Sequence, residues 1–387
     1  MSALETVVRT VPRAAYIHVP FCRHRCGYCD FTLIAGRDDL IPRYLESLRL
    51  EMRRHPHDPS SGTTELDTLF LGGGTPTHPT AEHLRDLVRH LRERFTFAPG
   101  YEVSVEANPL DLTEEKLVVL RDAGVNRISL GVQAFEDAAL ICLERDHVAA
   151  EVETIVRRTQ RFIPRVSLDL IFGVPGQSLG QWRTALRRAI DLGVGHISTY
   201  GLTIEKGTAF YTRQRRGEFQ ATPEELECDM YAAAMEDLAA AGFEHYEISN
   251  FARPGERCRH NMVYWEGREY LAYGPGAARY VDGRRETNLR SVWGWLARID
   301  RGLSPTFESE ELAPEDRARE RIFLALRLGD GINYARFHAE TGFRLDELAA
   351  EAIDRHVDAG LLQDDGITLR LTRAGRFLAN RVVQDFL

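Results

Sequence analysis

Through the first half of the chain, short apolar runs alternate with longer stretches whose apolar residues recur every three to four positions. The short runs predict strands at Ala14 to His18, Thr68 to Leu71, Val103 to Glu106, Arg127 to Gly131, Arg165 to Phe172 and His196 to Tyr200. The periodic stretches between them predict helices near Ile41 to Arg53, Ala81 to Glu93, Thr113 to Ala123, Glu151 to Phe162 and Leu179 to Leu192. Thr113 and Gly124 supply start and stop signals around the third of these helices. Strand and helix repeating in this way imply a parallel sheet with helices outside it, because parallel strands need long crossover connections. Six units are too few for a closed eight-stranded barrel. The expected fold class is therefore α/β, an open (β/α)6 partial TIM-like barrel, whose chemistry belongs in the loops after the C-terminal strand ends.

Beyond about Gly207 the pattern changes. A helix over Pro223 to Ala241 leads into His245-Tyr-Glu-Ile-Ser-Asn-Phe251, then into an aromatic, glycine-rich stretch that reaches Asn288. From about Glu311 the order is helix, short helix, helix (Leu345 to Ala359), strand (Ile367 to Leu371) and helix (Arg373 to Val383), the order of a winged-helix module. The expected division is a partial barrel over 1–210, an α+β extension over 211–310 and a winged-helix-like domain over 311–387.

Composition narrows the function. The 387 residues carry a net charge of −9 with no long basic run, and residues 311–387 hold 14 acids against 11 arginines. A phosphate-binding face is not favoured, so nucleic acid is not an expected partner. No run approaches the ~20 apolar residues of a membrane span, and Met1-Ser-Ala-Leu-Glu5 has no basic-then-apolar leader pattern. A cytoplasmic, thiol-reducing setting is expected.

The most informative chemistry follows the first strand. In Tyr16-Ile-His-Val-Pro-Phe-Cys-Arg-His-Arg-Cys-Gly-Tyr-Cys29, the cysteines Cys22, Cys26 and Cys29 are spaced Cys-x3-Cys-x2-Cys. Cubane iron-sulfur clusters usually take four thiolates, so three close cysteines suit a [4Fe-4S] cluster with one iron left open. A zinc site completed by His18 or His24 is the alternative, although zinc cysteines usually come as two separated pairs. After the second strand, Gly72-Gly-Gly74 is open to two readings, a nest of backbone N–H groups for an anion or a purely steric turn. Glu106 and Gln133 end adjacent strands at the same mouth, where they can bind a ligand or close a polar network. His260-Asn-Met-Val-Tyr-Trp265, preceded by Cys258, sets an imidazole among rings able to cover a porphyrin, or is ordinary packing.

Taken together these segments resemble the radical S-adenosylmethionine (SAM) superfamily. Within it they resemble the family that contains oxygen-independent coproporphyrinogen III oxidase and the heme chaperones. The resemblance covers nearly the whole chain and rests on Tyr16 to Cys22, Cys29-Asp-Phe31, Leu71-Gly-Gly-Gly-Thr-Pro76, Val105-Glu-Ala-Asn-Pro109, Ser129-Leu-Gly-Val-Gln133, Asp169-Leu-Ile-Phe-Gly173 and Tyr246 to Phe251. It implies that Cys22, Cys26 and Cys29 bind the cluster, and that Tyr16, Tyr28, Gly73, Gly74, Thr75, Glu106, Gln133 and Asp169 line the SAM pocket. Arg145 and Asp169 resemble positions that contact a second SAM in the oxidases, with a surface or structural ion pair as the other reading. Arg145 follows Leu143-Glu144 where the family commonly has Leu-Gly, which predicts a differing loop backbone.

Three features favour the chaperone branch. Phe31 stands where the oxidases carry a further cysteine, only about a dozen residues precede the first strand, and the His-Asn-x-x-Tyr-Trp segment is intact. The implied function is heme binding, with His260 as the iron ligand and Cys258 as second candidate, and transfer of heme to acceptor hemoproteins. A heme donor at the membrane and a homodimer are partners that the resemblance leaves open. Ala278 stands where relatives commonly place a histidine after Gly-Pro-Gly-Ala. The rival readings are the oxidase itself, by radical SAM oxidative decarboxylation, and another radical SAM tetrapyrrole enzyme.

Overall fold

All six strand–helix units form, in the expected order. The computed structural model describes residues 11–54 and 63–387, so the Met1 to Glu5 segment discussed above lies outside the described residues. The strands are β1 (Ala14–Val19), β2 (Thr64–Gly73), β3 (Phe95–Ala107), β4 (Arg127–Gln133), β5 (Arg165–Phe172) and β6 (His196–Gly201). They pair parallel in sequence order, with Ile17 beside Leu71, Leu71 beside Val105 and Val105 beside Ile128. Helices α1 (Ile41–Arg54), α2 (Ala81–Arg94) and α3 (Glu114–Asp122) cross over in the first half. A short α4 (Asp137–Cys142) precedes α5 (Ala149–Phe162), and α6 (Leu179–Asp191) leads to β6. Thr113 caps α3 by accepting the Lys116 N–H at 3.3 Å, and Ser178 and Gln181 form a reciprocal capping box on α6. Each such cap contributes about 1 kcal/mol.

The chain then passes through α7 (Ala209–Arg215) and α8 (Glu224–Ala240) and returns to both edges of the sheet. Strand β7 (Asn250–Ala252) pairs antiparallel with β6, and β8 (Leu271–Tyr273) pairs parallel with β1, with α9 (Arg259–Trp265) between them. Strands β9 (Ala278–Val281), β10 (Arg284–Asn288) and β11 (Thr306–Glu311) form a separate antiparallel sheet beside α10 (Val292–Asp300). The buried core runs without a break from β1 to Trp295 and Ile299. No boundary between cores therefore falls at residue 210, because the extension completes the barrel's own interior.

A single carboxylate shows how the two are joined. Glu51 of α1 is buried and accepts from the Gly274 N–H at 2.9 Å, Asn288 Nδ2 at 2.7 Å and Trp295 Nε1 at 3.1 Å. Burial still outweighs these donors and pushes its carboxyl up to about 7.

A second core belongs to the C-terminal module. It contains α11 (Pro314–Ala325), α12 (Tyr334–Thr341), α13 (Leu345–Asp358), the hairpin β12 (Leu362–Asp364) and β13 (Thr368–Leu371), then α14 (Arg373–Phe377) and α15 (Ala379–Gln384). The expected single helix over Arg373 to Val383 is broken at Leu378, and β12 had not been expected. Three residues of alternating pattern are too few to announce a strand.

Candidate active site at the barrel mouth

The cysteine loop leaves β1 through Phe21 and Cys22, which pair parallel with Ile34 and Ala35. Cys22 and Cys26 are buried and Cys29 is partly exposed. A continuous polar path joins two of them across three strand ends. Cys22 Sγ lies 3.3 Å from Thr75 Oγ1, which accepts from Asn108 Nδ2 at 3.3 Å. Asn108 Oδ1 in turn accepts from Arg145, whose guanidinium also donates to the Gly131 carbonyl at 3.0 Å and to Cys26 Sγ at 3.6 Å. Burial raises the Cys22 thiol to about 11 and also raises Cys29. Ligation by a cluster would have to release those protons, and the Arg145 cation is placed to favour the thiolates.

Both histidines offered by the zinc reading are engaged at Nε2. His18 has Nε2 at 2.6 Å from the Thr32 carbonyl and Nδ1 at 3.1 Å from Tyr16 Oη, and burial lowers it to about 4. His24 Nε2 sits 2.6 Å from the Glu144 carbonyl. Among the described residues no three His, Cys, Asp or Glu side chains converge on a single ion. The donor set of three thiols therefore suits a multi-iron cluster better than zinc with its ~2.3 Å bonds.

The N–H groups of residues 73–75 are already engaged within the fold. The Gly73 N–H donates to Glu106 Oε2 at 2.9 Å, the Gly74 N–H to the Val19 carbonyl at 2.9 Å and the Thr75 N–H to the Phe21 carbonyl at 2.8 Å. No open nest remains for an external anion. A Cβ on Gly73, whose φ is +111°, would stand 2.6 Å from the His18 ring, and one on Gly74 would stand 2.9 Å from the Phe21 carbonyl oxygen. The glycines thus let β2 close onto the cysteine loop.

Arg145 and Asp169 do not pair with each other. Asp169 accepts from Ser129 Oγ at 3.1 Å, and burial raises its carboxyl. Arg145 is half-buried beside the Cys26 thiol, so neither an open surface position nor a shared ion pair is found. The loop before Arg145 keeps the backbone that glycine would favour, since Glu144 adopts φ +55°. The Glu144 carbonyl holds His24, and its carboxylate meets Arg213 Nη1 at 3.0 Å. Tyr28 lies edge-on to Phe210 at 6.0 Å.

Among the described residues, buried polar atoms of Gln133 and Arg145 at this mouth lack a partner. Gln133, at φ +66° where the β4–β5 register shifts, holds a buried amide oxygen without a hydrogen bond, and so does Arg145 at Nε. A left-handed non-glycine residue costs about 1–2 kcal/mol, and such strain clusters at ligand sites. Glu106 lies beneath, half-buried, with its carboxyl raised to about 8, first by desolvation and also by Asp169. The residues expected around SAM therefore fit a polar ligand at this mouth.

His260 lies at the other end of the barrel. It stands beside Thr68, five residues before Gly73 on β2, or ~16 Å down the strand. It is fully buried, with Nδ1 2.9 Å from Thr68 Oγ1 and Nε2 2.8 Å from Tyr264 Oη, and its ring stacks on Phe70. Burial lowers it to about 3. Helix α9 is held by Glu102, whose carboxylate accepts the Arg259 and His260 N–H groups at 3.3 and 3.1 Å and the Cys258 thiol at 3.6 Å. The interior cavity above this floor is about 220 Å³ and reaches up to Tyr16, Glu106 and Asp169, below the ~300 Å³ of the smallest usual sites for a ligand held wholly inside. A porphyrin does not fit there, and neither His260 nor Cys258 presents a free ligand atom. Ala278 lies on β9 opposite Thr287, and the adjacent Arg279 is taken up by Glu286 and Thr306.

Asn108 and Glu102 were not singled out in the sequence. Asn108 had a signal in Glu-Ala-Asn-Pro, where it was part of a motif without a role, whereas Glu102 had none.

Residues 16–189 match the model of the radical SAM superfamily, and residues 312–378 match the HemN C-terminal domain. The chain is 36% identical to the protein named heme chaperone HemW of Bacillus subtilis (strain 168), over 97% of this chain and 99% of that one. It is also 36% identical to HemW of Mycobacterium tuberculosis (strain H37Rv), over 97% of this chain and 95% of that one. Among solved structures, coproporphyrinogen III oxidase (HemN) from Escherichia coli, described as a radical SAM enzyme, superposes with a TM-score of 0.85 at 20% identity, covering 98% of this chain and 91% of that one. At that identity the likeness establishes the fold.

Proposed function

The chain belongs to the HemW family of radical SAM proteins, and from that membership we propose that it is a cytoplasmic heme chaperone that binds a [4Fe-4S] cluster and SAM and delivers heme to acceptor hemoproteins. Similarity to heme chaperones over almost the full length of both chains carries this reading. Cys22, Cys26 and Cys29 hold the cluster, and Arg145 steadies the Cys26 thiolate. Gln133 Oε1 and Glu106 accept from SAM, with Tyr16, Tyr28, Gly73, Gly74, Thr75 and Asp169 around it. The cluster supplies an electron to bound SAM if SAM is cleaved at all. Among the described residues no helix is long and apolar enough to cross a membrane.

The test uses anaerobically reconstituted full-length protein. Replacement of all three cysteines by alanine should abolish the cluster absorbance, and Gln133→Ala should weaken SAM binding about tenfold with the cluster intact, the scale of one buried hydrogen bond. Heme-loaded protein should reconstitute an apo-hemoprotein. Decarboxylation of coproporphyrinogen III in the anaerobic assay would overturn the chaperone reading in favour of the oxidase, and new SAM-dependent heme products would favour a ring-modifying enzyme.

A further inference from the structure

The floor of the barrel has no room for a porphyrin, but a larger and more open cleft lies elsewhere. Between the mouth and the C-terminal module lies a cleft of about 440 Å³, twice the interior cavity and within the range of ligand sites. One wall is built by Phe172 at the end of β5 and Tyr231 of α8, whose rings stack at 6.2 Å with 17° between their planes. The other is the break between α14 and α15, where Phe377 meets Tyr231 edge-on at 5.3 Å and Leu378 is 44% exposed. Leu378 adds apolar surface to this rim.

The charge in this cleft is unbalanced on one side. Arg376 is more than half withdrawn from water, and among the described residues its guanidinium has His245 Nδ1, at 2.6 Å, as its hydrogen-bonded neighbour. His245 is itself kept neutral, lowered to about 4 by burial. No carboxylate pairs with Arg376 or with Arg381 among the described residues, although most arginines of this chain have one. The acids Glu224 and Glu227 line the opposite rim, beside the exposed Cys228. An arginine pair without counter-ions beside a flat aromatic wall suits a planar, largely apolar molecule with carboxylates on one edge.

We propose that this cleft is the heme-docking site, with the macrocycle between the Phe172–Tyr231 wall and Leu378 and its propionates on Arg376 and Arg381. The proposal rests on the heme-chaperone reading and gives that cargo a place at the strand ends Phe172 and Gly201, separate from the cavity that holds His260.

The experiment titrates full-length, cluster-loaded protein with hemin and with hemin dimethyl ester, whose propionates are blocked, followed by visible absorption. Alkylation of Cys228 is read in parallel by peptide mass. Expected are saturable hemin binding, weaker binding of the ester, about tenfold weaker hemin binding in Arg381→Glu and slower Cys228 alkylation with hemin present. Arg381 is exposed, so its variant should fold, and an unchanged thermal midpoint checks this. A second variant, Leu378→Asp, should weaken hemin and ester alike. Hemin binding that is unchanged in both variants, with Cys228 alkylated at the same rate, would overturn the cleft and leave the chaperone reading standing. No saturable hemin binding by the unaltered protein would overturn both.

Discussion

The two ends of the barrel use the same kinds of side chain to opposite ends. At the floor, Glu102 accepts three hydrogen bonds from residues 258–260, and both ring nitrogens of His260 are engaged. At the mouth, Gln133 and Arg145 leave buried polar atoms without partners, and Gln133 and Glu144 hold left-handed backbone. A paired group stabilises the fold and offers a ligand nothing, whereas an unpaired buried group costs about 1–3 kcal/mol until a ligand arrives. A histidine among aromatic rings is therefore not enough to mark a heme site. What its nitrogens already touch decides.

This contrast can be broken from the floor first. Glu102→Ala leaves the Arg259 and His260 N–H groups without their carboxylate and removes the longer of the two ion pairs of Arg165, which keeps Glu256. It is expected to cost about 3–5 kcal/mol, the scale for removing one partner of a buried charge, read as a fall in the urea midpoint. His260→Ala is expected to cost about 2–4 kcal/mol, for the cavity and the orphaned Thr68 and Tyr264 hydroxyls. Heme affinity per folded molecule should be unchanged. Specific loss of heme binding in a stably folded His260→Ala protein would erase the distinction between floor and mouth.

At the mouth, Glu106→Gln tests whether burial governs the carboxyl. Its folded value of about 8 lies above the ~4.3 of an unfolded glutamate. The folded state thus holds the extra proton, and this contribution to stability is complete below ~4.3 and lost as pH rises through 8. The glutamine variant, which cannot ionise, should lose less stability than the unaltered apoprotein between pH 5 and pH 8, compared by urea midpoints. A parallel decline in the two proteins would place the pH dependence elsewhere. The smallest effect is expected from Glu144→Gly. Relief of the left-handed strain at ~1 kcal/mol should slightly exceed loss of the half-exposed Arg213 ion pair, raising the thermal midpoint by a degree or two.

Much of the barrel was legible because its signals are local. Alternation, helical period and the Thr113 and Ser178 caps are each written within a few residues of where they act. The strands were nonetheless read short. β2 begins at Thr64 and β3 at Phe95, because their early residues mix polar and apolar positions without strict alternation. The return of Leu271–Tyr273 to the β1 edge was not legible, since nothing within three residues records a pairing made across some 250 positions.

For the site, the spacing of Cys22, Cys26 and Cys29 announced a cluster because the ligands are neighbours in the chain and their chemistry is nearly unique to that arrangement. The same sequence left Gly72 to Gly74, Arg145, Asp169 and His260 open, each with two readings. Only the tertiary structure supplied the surroundings of each: closure of β2 on the cysteine loop, a guanidinium at a thiol, a carboxylate among serines and an imidazole with both nitrogens engaged. The physical reason is that sequence specifies which donors and acceptors exist, while burial and partnership, which determine whether a donor is free to act, are set by segments far apart in the chain.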